Sequence, residues 1–166
     1  MYAPDFDPGS DGAPSDMSAI IGPFNLTGDS VMEFDHQFFT ENGFDGGVIE
    51  VALGAPAFNS TPYPDNVTTF DLGNHFIQNG YNGKLDGTFE GAVLSILQGR
   101  RAFTGSQALT RARISLRAFA AGGPLNPNGQ PVYIRFRMTS DAATTAGLSA
   151  GPASFAPGHT DHDTSS

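Results

Sequence analysis

The sequence contains no cysteine and no tryptophan, and it has few basic residues. The absence of cysteine excludes disulfide bonds and thiol chemistry, so the core has to hold the fold. Eight lysine and arginine residues stand against 17 aspartate and glutamate residues, which gives a formal net charge of −9. A surface of this charge repels phosphate backbones and anionic lipids. The composition therefore argues against nucleic-acid partners and against adhesion to an anionic membrane.

Long apolar runs are also missing from the sequence. No stretch approaches the roughly 20 apolar residues of a membrane helix, so we expect no membrane insertion. The opening residues Met1–Asp5 have neither the basic nor the apolar region of a secretory signal. We interpret the chain as the mature piece of a secreted protein. Its 166 residues suffice for one domain with a substantial core.

Both ends of the sequence are rich in residues that break regular structure. Residues 1–17 predict an irregular N-terminal arm, and residues 148–166 predict a low-complexity C-terminal tail. The tail contains His159–Asp163, which has the residue types of a metal-binding tract. Its place in a low-complexity segment favours a solvated tail instead. The domain proper is expected at residues 18–147.

The middle of the chain carries strand patterns. Polar and apolar residues alternate in Val31–Phe38, and Val48–Leu53, Thr110–Ser115 and Val132–Met138 predict further strands. A short helical turn is expected at Leu116–Ala120. Several short strands with turn-rich spacing predict an all-β, antiparallel β-sandwich. The predicted core consists of Met32, Phe34, Phe38, Val48, Ile114, Leu116, Ile134 and Phe136.

Five of the eight basic residues are arginines in or next to two of these strands. Their alternation predicts an arginine ladder on one exposed sheet face. There the arginines pair with acidic residues across strands, or they bind an acidic partner or a sugar carboxylate. The residues are Arg111, Arg113, Arg117, Arg135 and Arg137.

The order of several short motifs resembles a family of bacterial extracellular jelly rolls. Phe34–His36, the acid Glu41, Asp45–Gly47 and Val48–Glu50 match the family's F-x-H, acid, D-G-G and V-x-E elements. Three later segments resemble its G-Y-N-G loop, its G-R-x-A-F-x-G-x-S element and its R-F-R-x-x-T-D strand end, namely Gly80–Gly83, Arg100–Ser106 and Val132–Asp141. The family comprises the MAM-like modules and the accessory domains of immune inhibitor A-type metallopeptidases. The resemblance implies a jelly roll.

The sequence departs from the family after Asp141. The family continues with a closing strand of the form G-W-x-x-D-D, whereas residues 142–166 contain no tryptophan and no such strand. We therefore expect a jelly roll that lacks its closing strand. An uncovered sheet edge invites pairing, so we expect the N-terminal arm or the C-terminal tail to cover it, in the same subunit or in a neighbour.

The resemblance also implies a Ca²⁺ site formed by Glu41, Asp45 and Asp141. Ca²⁺ takes six to eight oxygen ligands from carboxylates and carbonyls in irregular loops, and Gly46–Gly47 would let backbone carbonyls turn inward. The alternative is that Asp45 caps a turn and that Glu41 and Asp141 are solvated. His36 lies on an apolar strand face, where we expect a buried, hydrogen-bonded residue and not a metal ligand.

No motif in the sequence indicates an active site, since the G-x-S-x-G and H-E-x-x-H patterns are absent. We therefore expect a non-catalytic, Ca²⁺-stabilised recognition or adhesion module of an extracellular or surface protein. Its expected partner is a carbohydrate or protein ligand at the cell surface. The alternative is a structural subunit that assembles with copies of itself into a filament or surface layer.

Overall fold

The computed structural model describes residues 16–58, 69–89, 92–93 and 95–141. The regular secondary structure of this part of the chain is almost entirely β, with two short 3-10 helices at Leu72–Asn74 and Arg117–Phe119. The strands are β1 (Asp16–Phe24), β2 (Val31–Phe39), β3 (Gly46–Leu53), β4 (Thr69–Asp71), β5 (Phe76–Gln78), β6 (Gly83–Lys84), β7 (Thr88–Phe89), β8 (Ala92–Val93), β9 (Arg101–Ala102), β10 (Ser106–Ser115) and β11 (Val132–Thr139).

The strands form two main antiparallel sheets. The first sheet has the order β1–β11–β3–β4, and the second has the order β2–β10–β5. Two short ribbons, β6–β9 and β7–β8, complete the described structure. The prediction of an antiparallel β-sandwich is therefore confirmed. The described residues contain no helix long and apolar enough to cross a membrane.

The core lies where the two sheets face each other. Phe34 on β2 meets Phe136 on β11 with ring centroids 5.6 Å apart, and the register aligns Ile134 with Val51 in the first sheet. All eight predicted core residues belong to this cluster or pack against it. The strand periods place them correctly because one face of each strand is apolar.

Strand β11 is central in the first sheet and is covered on both of its faces. Arg135 and Arg137 point to the side opposite Ile134, yet both are buried. The segment with Leu85, Leu97 and Arg100 supplies further buried side chains. The single exposed arginine ladder predicted from the sequence is wrong, because Arg135 and Arg137 belong to the first sheet while Arg111 and Arg113 belong to β10 of the second.

Two long strands lie at sheet edges. Strand β1 pairs only with β11 and β2 only with β10 in the part of the chain that the structure describes. Strand β1 begins at Asp16, two residues before the expected start of the domain. The expected cover of an edge by the arm or the tail concerns residues outside the described ranges, as does the histidine tract of the tail. The large apolar residues that remain exposed are Ile20, Ile21, Phe24, Val31, Phe39, Ile77 and Leu109.

Replacing Phe119 by alanine should lower the free energy of unfolding by about 3–5 kcal/mol. Phe119 is fully buried, and its ring packs against Phe70 at 5.6 Å and His75 at 5.0 Å. Phe39→Ala is the matched control, since Phe39 is 72% exposed and its loss should change stability by only about 0.5 kcal/mol. Urea denaturation measures both. Equal losses for the two variants would contradict this assignment of the core.

Candidate functional site

The three residues expected to bind Ca²⁺ meet at one end of the sandwich. The chain turns tightly after β2, where the amide of Asp45 donates to the carbonyl of Glu41 at 3.0 Å. The Asp45 carboxylate accepts the Glu41 amide at 3.3 Å through Oδ2 and the Asp141 amide at 3.0 Å through Oδ1. Asp45 therefore ties the turn after β2 to the end of β11.

The contacts of Asp45 are those of a capping carboxylate. Its oxygens bind backbone amides, and the described ranges contain no group of three His, Cys, Asp or Glu side chains placed to hold a metal. Gly46 is needed for packing, since a Cβ there would lie 2.6 Å from the carbonyl oxygen of Phe103. Gly47 exchanges two 2.9 Å backbone hydrogen bonds with Phe103. The D-G-G element thus docks the residue that follows β9 onto the start of β3.

A cleft of about 650 Å³ runs along β2 at the same end. Residues 34–40 all line it, so it reaches both faces and hence the backbone edge of this strand. The opposite wall comes from β3 and β11. Most of the lining is apolar, a character typical of binding pockets. The walls include Phe34, Phe38, Ile49, Phe103, Phe136 and Met138.

His36 lies in the aromatic wall of this cleft. Its ring centroid lies 4.6 Å from that of Phe103, 5.4 Å from that of Phe34 and 5.7 Å from that of Phe38. Both ring nitrogens are buried without a hydrogen-bond partner. The expectation of a hydrogen-bonded histidine is therefore wrong, because aromatic rings pack around this ring where a polar partner was expected. Burial lowers the pKa of His36, against a smaller opposing effect of Asp35.

Both ends of the described domain lie near the end of the cleft that Thr40, Gly47 and Met138 line. Asp16 pairs with Thr139, and Thr139 pairs with Gly46. The end of β2 joins them through the Thr40 amide, which donates to the carbonyl of Gly105 at 2.7 Å. Asp16 and Asp141, the first and last described residues, therefore lie at this same end of the sandwich.

The opposite side of the first sheet holds a buried ion-pair network around Glu50. The Glu50 carboxylate accepts from Arg100 at 2.5 Å and from Arg135 at 2.6 Å. The Nε of Arg100 also donates to Oδ2 of Asp71 at 3.1 Å. The ring centroid of Phe58 lies 4.6 Å from the guanidinium carbon of Arg135. The network joins β3, β4 and β11 to the irregular segment before β9. Sequence reasoning missed it, although an acid within an apolar strand was its signal.

Three further arginines pair with acidic residues of the edge strands β1 and β2. Arg137 holds Asp16 through two bonds of 2.8 Å, which fastens the start of β1 to β11. On the second sheet, Arg111 binds Asp35 at 2.8 Å and Arg113 binds Glu33 at 2.6 Å. These last two are the cross-strand pairs expected for an exposed sheet face. Arg117 lies in the 3-10 turn after β10.

Glu50→Gln should lower the free energy of unfolding by about 3–5 kcal/mol, because it leaves two buried guanidinium groups without their shared carboxylate. The matched control is Glu33→Gln, which removes an exposed carboxylate that pairs with Arg113 and should cost less than about 1 kcal/mol. Thermal and urea denaturation report both. If Glu50→Gln lowers the free energy of unfolding no more than Glu33→Gln does, the network does not stabilise the sheet.

Stability should fall as the pH drops from about 7 to 5, partly because of His36. Its pKa is lowered in the folded state, whereas the unfolded chain binds the proton near pH 6.5. The folded form is therefore favoured above the unfolded pKa, and this stabilisation is lost as the pH falls through the folded pKa. His36→Phe should reduce the slope of stability against pH, with stability at about pH 8 as the baseline. An unchanged slope would show that His36 does not contribute to the pH dependence of stability.

No protein-family model matches this chain, and no curated protein or solved structure is significantly similar to it.

Proposed function

We propose that this chain is a non-catalytic recognition or adhesion module of a secreted or surface-exposed bacterial protein. It binds its partner along the edge of β2. The observation that carries the proposal is the apolar cleft beside that edge, which combines about 650 Å³ of space with a wall of aromatic rings. The motif order of MAM-like and immune inhibitor A-type accessory jelly rolls supports an extracellular setting.

The chemistry of the cleft favours an extended protein segment over a carbohydrate. The ring of Phe34 packs edge to face on those of Phe103 and Phe136, and the neighbouring Phe38 is also apolar. The edge of β2 can donate and accept backbone hydrogen bonds to an added strand, while the cleft takes every second side chain of that strand. Both features together recognise an extended segment with apolar residues at alternate positions.

The competing function is self-assembly into a filament or surface layer. Edge strands with exposed apolar side chains favour it, and β1 carries Ile20, Ile21 and Phe24 with 37–46% exposure. Exchange of edge strands between subunits gives head-to-tail contacts that propagate. Light scattering over a concentration series separates the two functions, since a recognition module stays monomeric and a filament subunit grows with concentration.

The partner-binding proposal is tested by selecting extended peptides from a displayed library with the full chain, alongside a glycan array. We expect peptides with alternating apolar residues. Phe39→Lys places a charge on an exposed residue of the cleft and should weaken binding by about tenfold or more, or about 1.4 kcal/mol. Ile77→Lys is the matched control, because Ile77 is exposed on β5 at the other edge of the same sheet.

Two outcomes would overturn the peptide assignment. The first is equal binding of the selected peptides to Phe39→Lys and to Ile77→Lys. The second is binding to glycans alone.

We further propose that Ca²⁺ stabilises the turn after β2. The proposal is supported by the convergence of Glu41 and Asp141 on Asp45. A carboxylate has about four lone-pair sites, so a carboxylate that accepts from backbone amides can also bind a cation. The side chains of Glu41 and Asp141 would have to turn toward Asp45 to complete the ligand set, because the described residues are not arranged as a metal site.

Chelator should lower the melting temperature if Ca²⁺ binds there. A ligand present at about 100 times its dissociation constant adds about 2.7 kcal/mol to the folded state. Asp45→Asn should abolish the difference between calcium and chelator, whereas Asp29→Asn, at an exposed position in the turn before β2, should preserve it. Identical melting curves of the unaltered protein with calcium and with chelator would contradict the site.

A further inference from the structure

The edge of β2 carries the charged residues Glu33 and Asp35 but lacks the other features that normally keep an edge strand from pairing. Its nine residues contain no proline, glycine or lysine. The strand also has no bulge, because the extra residue in the β2–β10 pairing lies on β10, opposite Phe38 and His36. Among the described residues β2 pairs with β10 alone. Long, regular edges attract another strand. The cleft beside this edge adds an apolar space for half of that strand's side chains.

The direction of the chain at Asp141 suits a strand that returns along β2. Strand β2 runs toward the end of the cleft that Thr40, Gly47 and Met138 line, and it stops at Phe39, opposite Ser106. The Asp141 amide donates to the Asp45 carboxylate at the same end of the sandwich. A chain that turns back from Asp141 therefore runs antiparallel to β2. Facing sheets lie about 10 Å apart, and about three extended residues span that distance.

The distribution of charged residues distinguishes between the segments that could occupy the cleft. An added strand turns every second side chain into the aromatic space, where an unpaired charge is costly. Residues 142–158 are a run of 17 residues without a charged or histidine side chain. The N-terminal arm carries Asp5, Asp7 and Asp11 and has no comparable run. The β2 strand of a second copy would bring its own Glu33 and Asp35 against the same residues, and like charges on paired strands repel.

We infer that the uncharged segment 142–158 of the same chain adds antiparallel to β2 and occupies the cleft. Residues 142–151 contain no proline and can supply the backbone donors of a ladder. The inference builds on the proposed function, because a partner segment would have to displace this tail from the same edge.

The absence of cysteine allows a clean disulfide-trapping test in the full chain. Gln37→Cys places a thiol on the exposed face of β2, and it is combined in turn with Thr144→Cys, Ala146→Cys and Ser149→Cys. Paired residues on neighbouring antiparallel strands lie within disulfide reach. Gln78→Cys, with the same tail positions, is the matched control, because Gln78 is an exposed glutamine on β5 at the opposite edge of the sheet. Non-reducing electrophoresis and peptide mass mapping identify the products.

We expect the Gln37→Cys variants to form an intramolecular disulfide with one or two tail positions. The yield should be about tenfold above that of the Gln78→Cys variants, because a docked tail has a far higher local concentration. Equal yields from both edges would overturn the inference, as would a product that is a disulfide-linked dimer. The absence of any cross-link in the Gln37→Cys variants would overturn it too.

Peptide binding separates this inference from the proposed function. Removing residues 142–166 should strengthen the binding of the selected peptides at least about threefold if the tail competes with them. Peptides that bind the cleft with an affinity independent of the tail would overturn the inference and leave the recognition function standing. A tail that cross-links to β2 in a chain that selects no peptides would do the reverse.

Discussion

The Glu50 carboxylate organises the first sheet. It is 1% exposed and accepts from both Arg100 and Arg135, and Asp71, which also pairs with Arg100, supplies the second negative charge of the network. A buried charge is tolerated only when it is paired and hydrogen-bonded in this way. The consequence is that the irregular segment before β9 is held on the outer face of the sheet, and β11 is enclosed on both sides.

The enclosed first sheet contrasts with the edge of the second. Strand β2 packs one face on the core and leaves its backbone edge beside the cleft. His36 belongs to the same contrast, because its two ring nitrogens are buried among rings without a partner. A polar group in that state destabilises its surroundings. The buried charges around Glu50 are thus paired, whereas the imidazole of His36 beside β2 has no hydrogen-bond partner, and this contrast directs the functional proposals to β2.

The sequence predicted the sandwich and its core well, because strand faces follow from a period of two. Phe34 on β2, Ile114 on β10 and Ile134 on β11 each lie on the apolar face of their strand. Each belongs to the core or packs against it, as expected. The same period could not assign strands to sheets, since β10 and β11 alternate alike; the arginines of both were therefore placed on one face. The burial of Arg135 depends on its pairing with Glu50, which lies 85 residues away along the chain.

The candidate site was less predictable than the fold. The convergence of Glu41, Asp45 and Asp141 followed from the motif order, and their approach to one another is seen. The side-chain directions, which decide between a cap and a cation site, depend on tertiary packing and leave no trace in spacing. The cleft could not be predicted at all, because the space beside β2 is defined by Phe103 and Phe136, which lie in distant parts of the sequence.

Amide hydrogen exchange along β2 in the full chain tests the central claim most directly. In an antiparallel strand, alternate amides point to the partner and the others point away, so the outward amides of β2 report on an added strand. The account predicts that both sets exchange slowly and to a similar degree, while the outward amides of the other long edge strand, β1, exchange fast. Outward amides of β2 that exchange as fast as those of β1 would contradict it.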